Sequence, residues 1–364
     1  MPPVSGDPAR ASLDAELLGW MAEPWRNDDT RFEKTARALF SHQFAHCRPY
    51  ARFCRGRGIT PDSIGSWEEI PAVPAGAFKE LTLRSFPAEA ECHVFRTSGT
   101  STEARGALHL DTLALYEASL LPSFERFVLP GLPRAARVYV LTASPEEQPD
   151  SSLSHMFGVA VAARGDASSG FFVRRGTLQF DSLLSALASN DAPVALCGTA
   201  FSFVHLLDAL EAGGQRIQLP PGSRVMETGG FKGRAREIPR DELYEALGAA
   251  LGISTDCIVN QYGMTELASQ FYDTTVHEPG APRRKLGPPW ARVRILEPQT
   301  GAPCAPGDVG AIVLHDLANT GSVAAIQTAD LGRTVGNGFE VIGREPGAEA
   351  RGCSIALDEM LERE

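Results

Sequence analysis

Between residues 94 and 260 the chain alternates short, almost wholly apolar runs with helical stretches. Val138-Tyr139-Val140-Leu141, Val194-Ala195-Leu196-Cys197, Val225-Met226 and Cys257-Ile258-Val259 read as strands. Residues 154–163, about 201–211 and about 241–251, the last ending at Gly252, read as helices between them. A strand that is apolar on both faces must be covered on both faces, which is what a parallel sheet under helices provides. The expected fold class is α/β, with mostly parallel layered sheets and flanking helices.

The flanks have a different character. Phe32, Ala36, Leu39, Phe40 and Phe44 share one helical face, with Arg31, Glu33 and Lys34 off it, so residues 11–54 read as a helical lead-in. Pro71, Pro74 and the surroundings of Phe78 read as an extended connector. After Pro288, Val293-Arg294-Ile295-Leu296, Ala311-Ile312-Val313-Leu314, Val323-Ala324-Ala325-Ile326 and Phe339-Glu340-Val341-Ile342 are short strands separated by turn-rich pieces such as Pro306-Gly307-Asp308. They predict a small antiparallel or barrel-like subdomain, with a last acidic helix over 357–362. The expected organisation is a lead-in and connector over 1–93, an α/β body over 94–287, a small β-rich subdomain over 288–345 and a short tail over 346–364.

Charge excludes some partners. Lys and Arg total 34 against 45 Asp and Glu, a formal charge of −11, which argues against nucleic acid or an anionic membrane as the main partner. No window approaches the roughly 20 apolar residues of a membrane helix. The first thirty residues lack a basic start followed by an apolar run, so a cytoplasmic protein is expected. The seven cysteines, Cys47, Cys54, Cys92, Cys197, Cys257, Cys304 and Cys353, never fall as C-x-x-C, which argues against a disulfide framework or structural zinc. Six of them read by default as small buried hydrophobes.

Two stretches carry candidate chemistry. Thr97-Ser98-Gly99-Thr100-Ser101-Thr102-Glu103-Ala104-Arg105-Gly106 lies between the candidate strands Val94-Phe95 and Ala107-Leu108-His109-Leu110. Glycine lets backbone N–H groups approach an anion, and the hydroxyls add donors to phosphate oxygens. It is not a Walker A loop, because no Gly-Lys-Ser/Thr ends it. By composition alone a solvated turn is the better reading. Asn260-Gln261-Tyr262-Gly263-Met264-Thr265-Glu266 follows the strand that ends at Val259, at the carboxyl end where such sheets bind ligands. There Tyr262 offers a ring for stacking, Thr265 a donor to phosphate and Glu266 a ligand for Mg²⁺. Taken in isolation, a capped turn opening a helix fits Thr265-Glu266 better.

Together these stretches resemble two signature motifs of the acyl-adenylate-forming superfamily of acyl-CoA synthetases, luciferases and adenylation domains. The superfamily's first motif reads Thr-Ser-Gly-Thr-Thr-Gly-x-Pro-Lys-Gly, and Arg105 stands at its lysine. Its second reads Tyr-Gly-x-Thr-Glu and matches Tyr262, Gly263, Thr265 and Glu266. Weaker matches follow in order. Ser154-His155-Met156-Phe157-Gly158 falls by the carboxylate pocket, Thr228-Gly229-Gly230 beside the adenine, Gln327-Thr328-Ala329-Asp330 at the ribose-binding Arg-Thr-Gly-Asp, and Gly343-Arg344 at the hinge. The superfamily's mobile C-terminal domain, with its catalytic lysine, has no counterpart after Arg344, and the last lysine is Lys285. Arg283-Arg284-Lys285 reads as a solvated basic loop.

The shortened end, with Thr228-Gly229-Gly230-Phe231-Lys232-Gly233 and Arg351-Gly352-Cys353-Ser354, is similar to the LuxE acyl-protein synthetases. These adenylate a fatty acid, load it on a C-terminal cysteine and hand it to a reductase partner. The resemblance implies ATP with Mg²⁺, a fatty or aromatic acid, and Cys353 as acyl-accepting nucleophile beside His155 and Arg105 as catalytic residues. It implies a nucleotide site made of Thr97, Ser98, Gly99, Thr100, Ser101, Gly229, Gly230, Tyr262, Gly263, Thr265, Asp330 and Arg344, with Glu266 on Mg²⁺. Cys353 also has a local case, between glycine and serine with Arg351 nearby to favour thiolate. Two other readings stay open. One is ATP-independent transfer from acyl-CoA through Cys353 to the phosphopantetheine of an acyl carrier protein. The other is a non-catalytic adenylate-binding partner.

Overall fold

The computed structural model describes residues 7–98, 105–189, 191–229, 238–344 and 360. It divides into two units, one of residues 1–122, 264–269 and 287–364, the other of 123–263 and 270–286.

In the second unit the apolar runs become strands that pair in parallel, as expected. Gly170–Phe171, Arg137–Leu141, Val194–Thr199, Arg224–Thr228 and Ile258–Tyr262 lie side by side in that order. Phe271–Asp273 and Lys285–Leu286 then continue the sheet antiparallel. Leu141, Leu196, Val225 and Ile258 pack with Phe203, Leu206, Leu243 and Leu247 of the helices Ala200–Ala212 and Arg240–Leu251 in one core. Val138, Val140, Cys197, Met226 and Val259 alternate with them toward the other face and are equally buried. Local signals set the helix ends. Ser151 caps the helix Ser152–Arg164 by accepting from the Ser154 N–H, and Thr199 and Ser202 form a capping box. Gly252 closes the helix Arg240–Leu251 with φ +67°, a conformation that costs any other residue a Cβ clash. Cys257 differs from expectation: it ends a 3₁₀ turn, and the strand begins at Ile258.

The first unit begins with the helices Pro8–Ala22, Asp29–His46 and Arg48–Gly56, and Phe32, Ala36, Leu39 and Phe40 are buried as their spacing predicts. The connector is extended only at Val73–Pro74, which pairs in parallel with Ile326 and Gln327; Phe78 lies in a helical turn, Ala77–Glu80. The strands Ala291–Leu296, Gly310–Asp316, Ala325–Val335 and Gly338–Arg344 form an antiparallel meander. All seven residues of Gly310–Asp316 are buried, as befits a strand with a neighbour on each side. Gly336, with φ +56°, makes the two-residue turn that joins Val335 to Gly338. Val323 and Ala324 precede their expected strand, because the Asp316 N–H reaches the Ala324 carbonyl and the Ala324 N–H reaches Gln43 Oε1. A helix absent from the sequence reading, Ala114–Phe127, contains Pro122. The acidic helix expected over 357–362 lies outside the described residues except for Met360. That residue is buried, and its carbonyl accepts from Arg52 Nε.

Candidate functional site

Both candidate stretches sit where two strands end. In the first unit His93–Arg96 and Ala107–Leu110 pair antiparallel, with Arg96 opposite Ala107. The hydroxyl-rich stretch is therefore the loop of a hairpin. Thr97 closes its neck twice: its N–H donates to the Gly106 carbonyl (2.9 Å), and its Oγ1 accepts from the Gly106 N–H (2.9 Å). Arg105 donates through Nε to the Thr97 carbonyl (2.6 Å), so part of its fork holds the neck. Ser98 is exposed beside it. Gly99, Thr100 and Ser101 lie outside the described residues.

Glu266 meets this neck. It is buried, and its Oε1 would lie 3.2 Å from a Cβ placed on Gly106, with Thr97 Cγ2 at 3.1 Å. The loop and the Thr-Glu pair, 160 residues apart in sequence, are thus neighbours in this unit. Thr265 and Glu266 form a turn that runs into the irregular residues 267–270 rather than into a helix. Two residues that sequence reasoning missed build that turn. Asp316, fully buried, accepts from the Ala268 N–H (2.9 Å), the Ser269 N–H (2.7 Å), Ser269 Oγ (2.6 Å) and the Ala318 N–H (3.1 Å). Burial pushes its carboxyl up, and those donors pull it back in part. Asn319 donates through Nδ2 to the Glu266 carbonyl (2.9 Å) and the Val323 carbonyl (3.0 Å). Glu266 brings one buried carboxylate to the loop neck, the kind of oxygen ligand that a hard divalent cation such as Mg²⁺ takes.

Asp330 and Arg344 are brought to each other. They are opposite in register, and Arg344 Nε donates to Asp330 Oδ1 (3.2 Å). The Asp330 N–H in turn donates to Thr328 Oγ1 (3.1 Å), and Thr328 donates to the Ile312 carbonyl (3.0 Å).

In the second unit Thr228-Gly229 and Tyr262-Gly263 end two adjacent parallel strands, joined by Thr228 Oγ1 donating to the Gln261 carbonyl (3.2 Å). Gly229 takes φ +84° with open space around its missing Cβ, so conformation rather than crowding requires glycine there. Gly230 lies outside the described residues. The half-buried Tyr262 ring tilts against Phe271 at 6.4 Å. His155 is half-buried on the helix Ser152–Arg164, beside Met156, whose sulfur faces the Tyr272 hydroxyl at 3.9 Å.

Beneath these strand ends lies a charged network that the sequence did not announce. Glu227 is buried, accepts from Tyr244 OH (2.6 Å) and from Asn260 Nδ2 (2.5 Å), and is pushed up by burial. Lys285, read as part of a solvated loop, is instead buried and bonded to Asp273 (2.8 Å), with Arg283 on the other oxygen (3.1 Å). Burial lowers Lys285, while its charge and that of Arg283 outweigh burial at Asp273 and hold that carboxyl low. Arg284 pairs with Glu278 (2.6 Å).

The cysteines divide. Cys47, Cys54 and Cys197 are buried as expected, whereas Cys92 is exposed. Burial pushes Cys47 up to about 11, Cys54 up to about 12 and Cys197 higher still. Cys353 lies outside the described residues.

This arrangement is the fold of the adenylate-forming enzymes. An open conformation of 2-hydroxyisobutyryl-CoA ligase, in complex with 2-HIB-AMP and CoA, matches with a TM-score of 0.62 at 15% identity, over 86% of this chain and 69% of that one. The chain also aligns with ATP-bound MatB from Rhodopseudomonas palustris (TM-score 0.48, 19% identity), covering 71% of its own residues and spanning about half, 49%, of that protein's length. The model of the family "Acyl-protein synthetase, LuxE" matches residues 11–362, and the chain belongs to that family. A long-chain-fatty-acid–luciferin-component ligase of Aliivibrio fischeri is 22% identical over 382 residues, 97% of this chain and 96% of that protein. Among the described residues no helix is long and apolar enough to cross a membrane.

Proposed function

We propose that the chain activates a long-chain or aromatic carboxylic acid as its acyl-adenylate and passes the acyl group through Cys353 to a thiol of an acceptor protein. The observation that carries this reading is Glu266 against Gly106 and Thr97, two motifs distant in sequence converging on one loop neck. The family match and the name of the Aliivibrio relative support the acid class.

In the first half-reaction a carboxylate oxygen of the acid attacks the α-phosphorus of ATP, the bond to the β-phosphate oxygen breaks, and pyrophosphate leaves. Such steps are catalysed by positioning and charge neutralisation. Thr97, Ser98, Gly99, Thr100, Ser101 and Arg105 hold the phosphates, and Thr265 holds the α-phosphate. Asp330 binds the ribose and is steadied by Arg344; Gly229, Gly230, Tyr262 and Gly263 border the adenine. His155 borders the acid. Glu266 would hold Mg²⁺, which when bound neutralises phosphate charge. In the second half-reaction the Cys353 thiolate attacks the acyl carbon and AMP leaves. A thiol of a reductase subunit, or the phosphopantetheine of a carrier protein, then displaces Cys353 by thioester exchange.

The test is intact-protein mass after incubation with Mg-ATP and a pool of fatty and aromatic acids, on wild type and Cys353→Ser, with a parallel arm of acyl-CoAs without ATP. Acyl mass that needs ATP and disappears in Cys353→Ser is the expected result and identifies the acid. Labelling from acyl-CoA alone overturns ATP use in favour of the transferase, and no adduct in either arm removes Cys353 from the mechanism.

Gly106→Ala probes the loop neck. Its new Cβ has to push Thr97 and Glu266 aside by a few tenths of an ångström. Acid-dependent pyrophosphate release is expected to fall about tenfold to a hundredfold, with the melting temperature nearly unchanged. An unaltered rate in a pyrophosphate assay would show that this neck does not position the reacting groups.

A further inference from the structure

Far from the nucleotide motifs in sequence, the lead-in helices of the first unit hold Asp7, His42 and His46 together. One ligand atom from each lies within 4.8 Å of the others. His42 and His46 are four residues apart on the helix Asp29–His46, a spacing that puts two imidazoles on one face. Asp7 is the N-cap of the helix Pro8–Ala22. Its Oδ1 accepts from the Ala9 N–H (3.0 Å), which leaves Oδ2 toward the imidazoles, 3.3 Å from His42 Nδ1 and 3.6 Å from His46 Nε2.

We propose that Asp7, His42 and His46 form a binding site for a zinc-like divalent cation that clips the start of the first helix to the last turns of the second. Three features carry it. The 3.3 and 3.6 Å separations are close to the edge of a tetrahedron built on bonds of about 2.0–2.1 Å, roughly 3.3 Å. His46 Nδ1 lies 2.9 Å from the His42 carbonyl and donates to it, which fixes the tautomer whose Nε2 lone pair faces Asp7. His42 is only 6% exposed, yet neither of its ring nitrogens makes a well-formed hydrogen bond, the signature of a buried donor atom awaiting a ligand.

Charge and access agree with the geometry. Arg10 is a charged neighbour of His42. Arg10 is itself bonded to Asp14 (2.8 Å) and Asp111 (3.1 Å), so these three groups carry no net positive charge against an incoming cation. His46 is half exposed and gives the ion a path in, with a water to complete four ligands.

The experiment uses the tag-free, full-length protein stripped with chelator and titrated with Co²⁺ and Zn²⁺. Wild type is expected to take up about one equivalent of Co²⁺ with the intense visible absorption of four-coordinate cobalt, to exchange it for Zn²⁺, and to melt several degrees higher with Zn²⁺. His46→Ala, at a half-exposed position, is expected to lose the cobalt band and at least about tenfold in Zn²⁺ affinity. Asp7→Asn keeps the helix cap and should weaken binding as well. No saturable binding by wild type, or equal affinity in His46→Ala and Asp7→Asn, overturns the site and leaves the proposed acyl chemistry untouched.

Discussion

Glu266→Gln is expected to lower acid-dependent pyrophosphate release by about 10²–10³-fold, the loss seen when one positioned charge stabiliser is removed from a site. Glutamine keeps the volume of the side chain and removes only its charge. The turn is held elsewhere, by the Glu266 carbonyl on Asn319 and by the four donors gathered on Asp316. The fold and melting temperature should therefore be retained. The buried carboxylate at the loop neck is the charge proposed to hold Mg²⁺, so the Mg²⁺ concentration for half-maximal rate should rise in the same variant. A pyrophosphate assay across a Mg²⁺ series checks both. A loss of less than about threefold at every Mg²⁺ concentration would remove Glu266 from the reaction and leave it a structural acid.

What made Glu266 legible was local: a Tyr-Gly-x-Thr-Glu run directly after an apolar strand. The parallel strands were legible for a similar reason, since burial on both faces leaves no polar alternation to confuse the reading. The residues that hold the site were not. Asp316 reaches Ser269 across 47 positions, and the strand that carries it reads only as apolar. Nothing near Asp316 in sequence distinguishes a buried hub from a surface turn. Lys285 misled because a cation in an Arg-Arg-Lys run looks solvated until Asp273 is found 2.8 Å away. The helix Ala114–Phe127 was hidden by Pro122, which ordinarily breaks a helix but here is tolerated inside one. Pairing with residues distant in sequence decided Asp316 and Lys285. The same holds for Asp330 with Arg344, for which the family resemblance implied a ribose site and a hinge but not that register would set them opposite each other.

Stability should fall steeply below about pH 6.5, and His315 carries the larger share of this, with His42, held at about 4, acting in the same sense. It lies in the fully buried strand Gly310–Asp316, its ring edge-on to Trp67 at 4.8 Å, and its Nε2 has no hydrogen-bond partner. Burial, with Arg294 adding to it, pushes its pKa down to about 3 from an ordinary 6.5. The folded state therefore keeps His315 neutral where the unfolded chain already binds a proton. The unfolded state holds more protons between those two values, so stability rises with pH across that window. It is present in full above about 6.5 and is lost as pH falls toward 3, at up to about 1.4 kcal/mol per pH unit. Between pH 6.5 and 4.5 this amounts to roughly 2–3 kcal/mol, a large share of the 5–15 kcal/mol that holds a typical domain together. The buried carboxyls of Glu227 and Asp316 act in the opposite sense, because burial raises them and protonation favours the folded form. They cannot be the source of acid lability. Urea midpoints for wild type and His315→Leu, taken from pH 7.5 to 4.5 in chelator, separate the contributions. Leucine cannot titrate and leaves no polar atom unsatisfied, so its curve should be flatter by about 1.4 kcal/mol per unit below pH 6. Parallel curves would show that the proton enters elsewhere, and that water or a local opening reaches His315 before the chain unfolds.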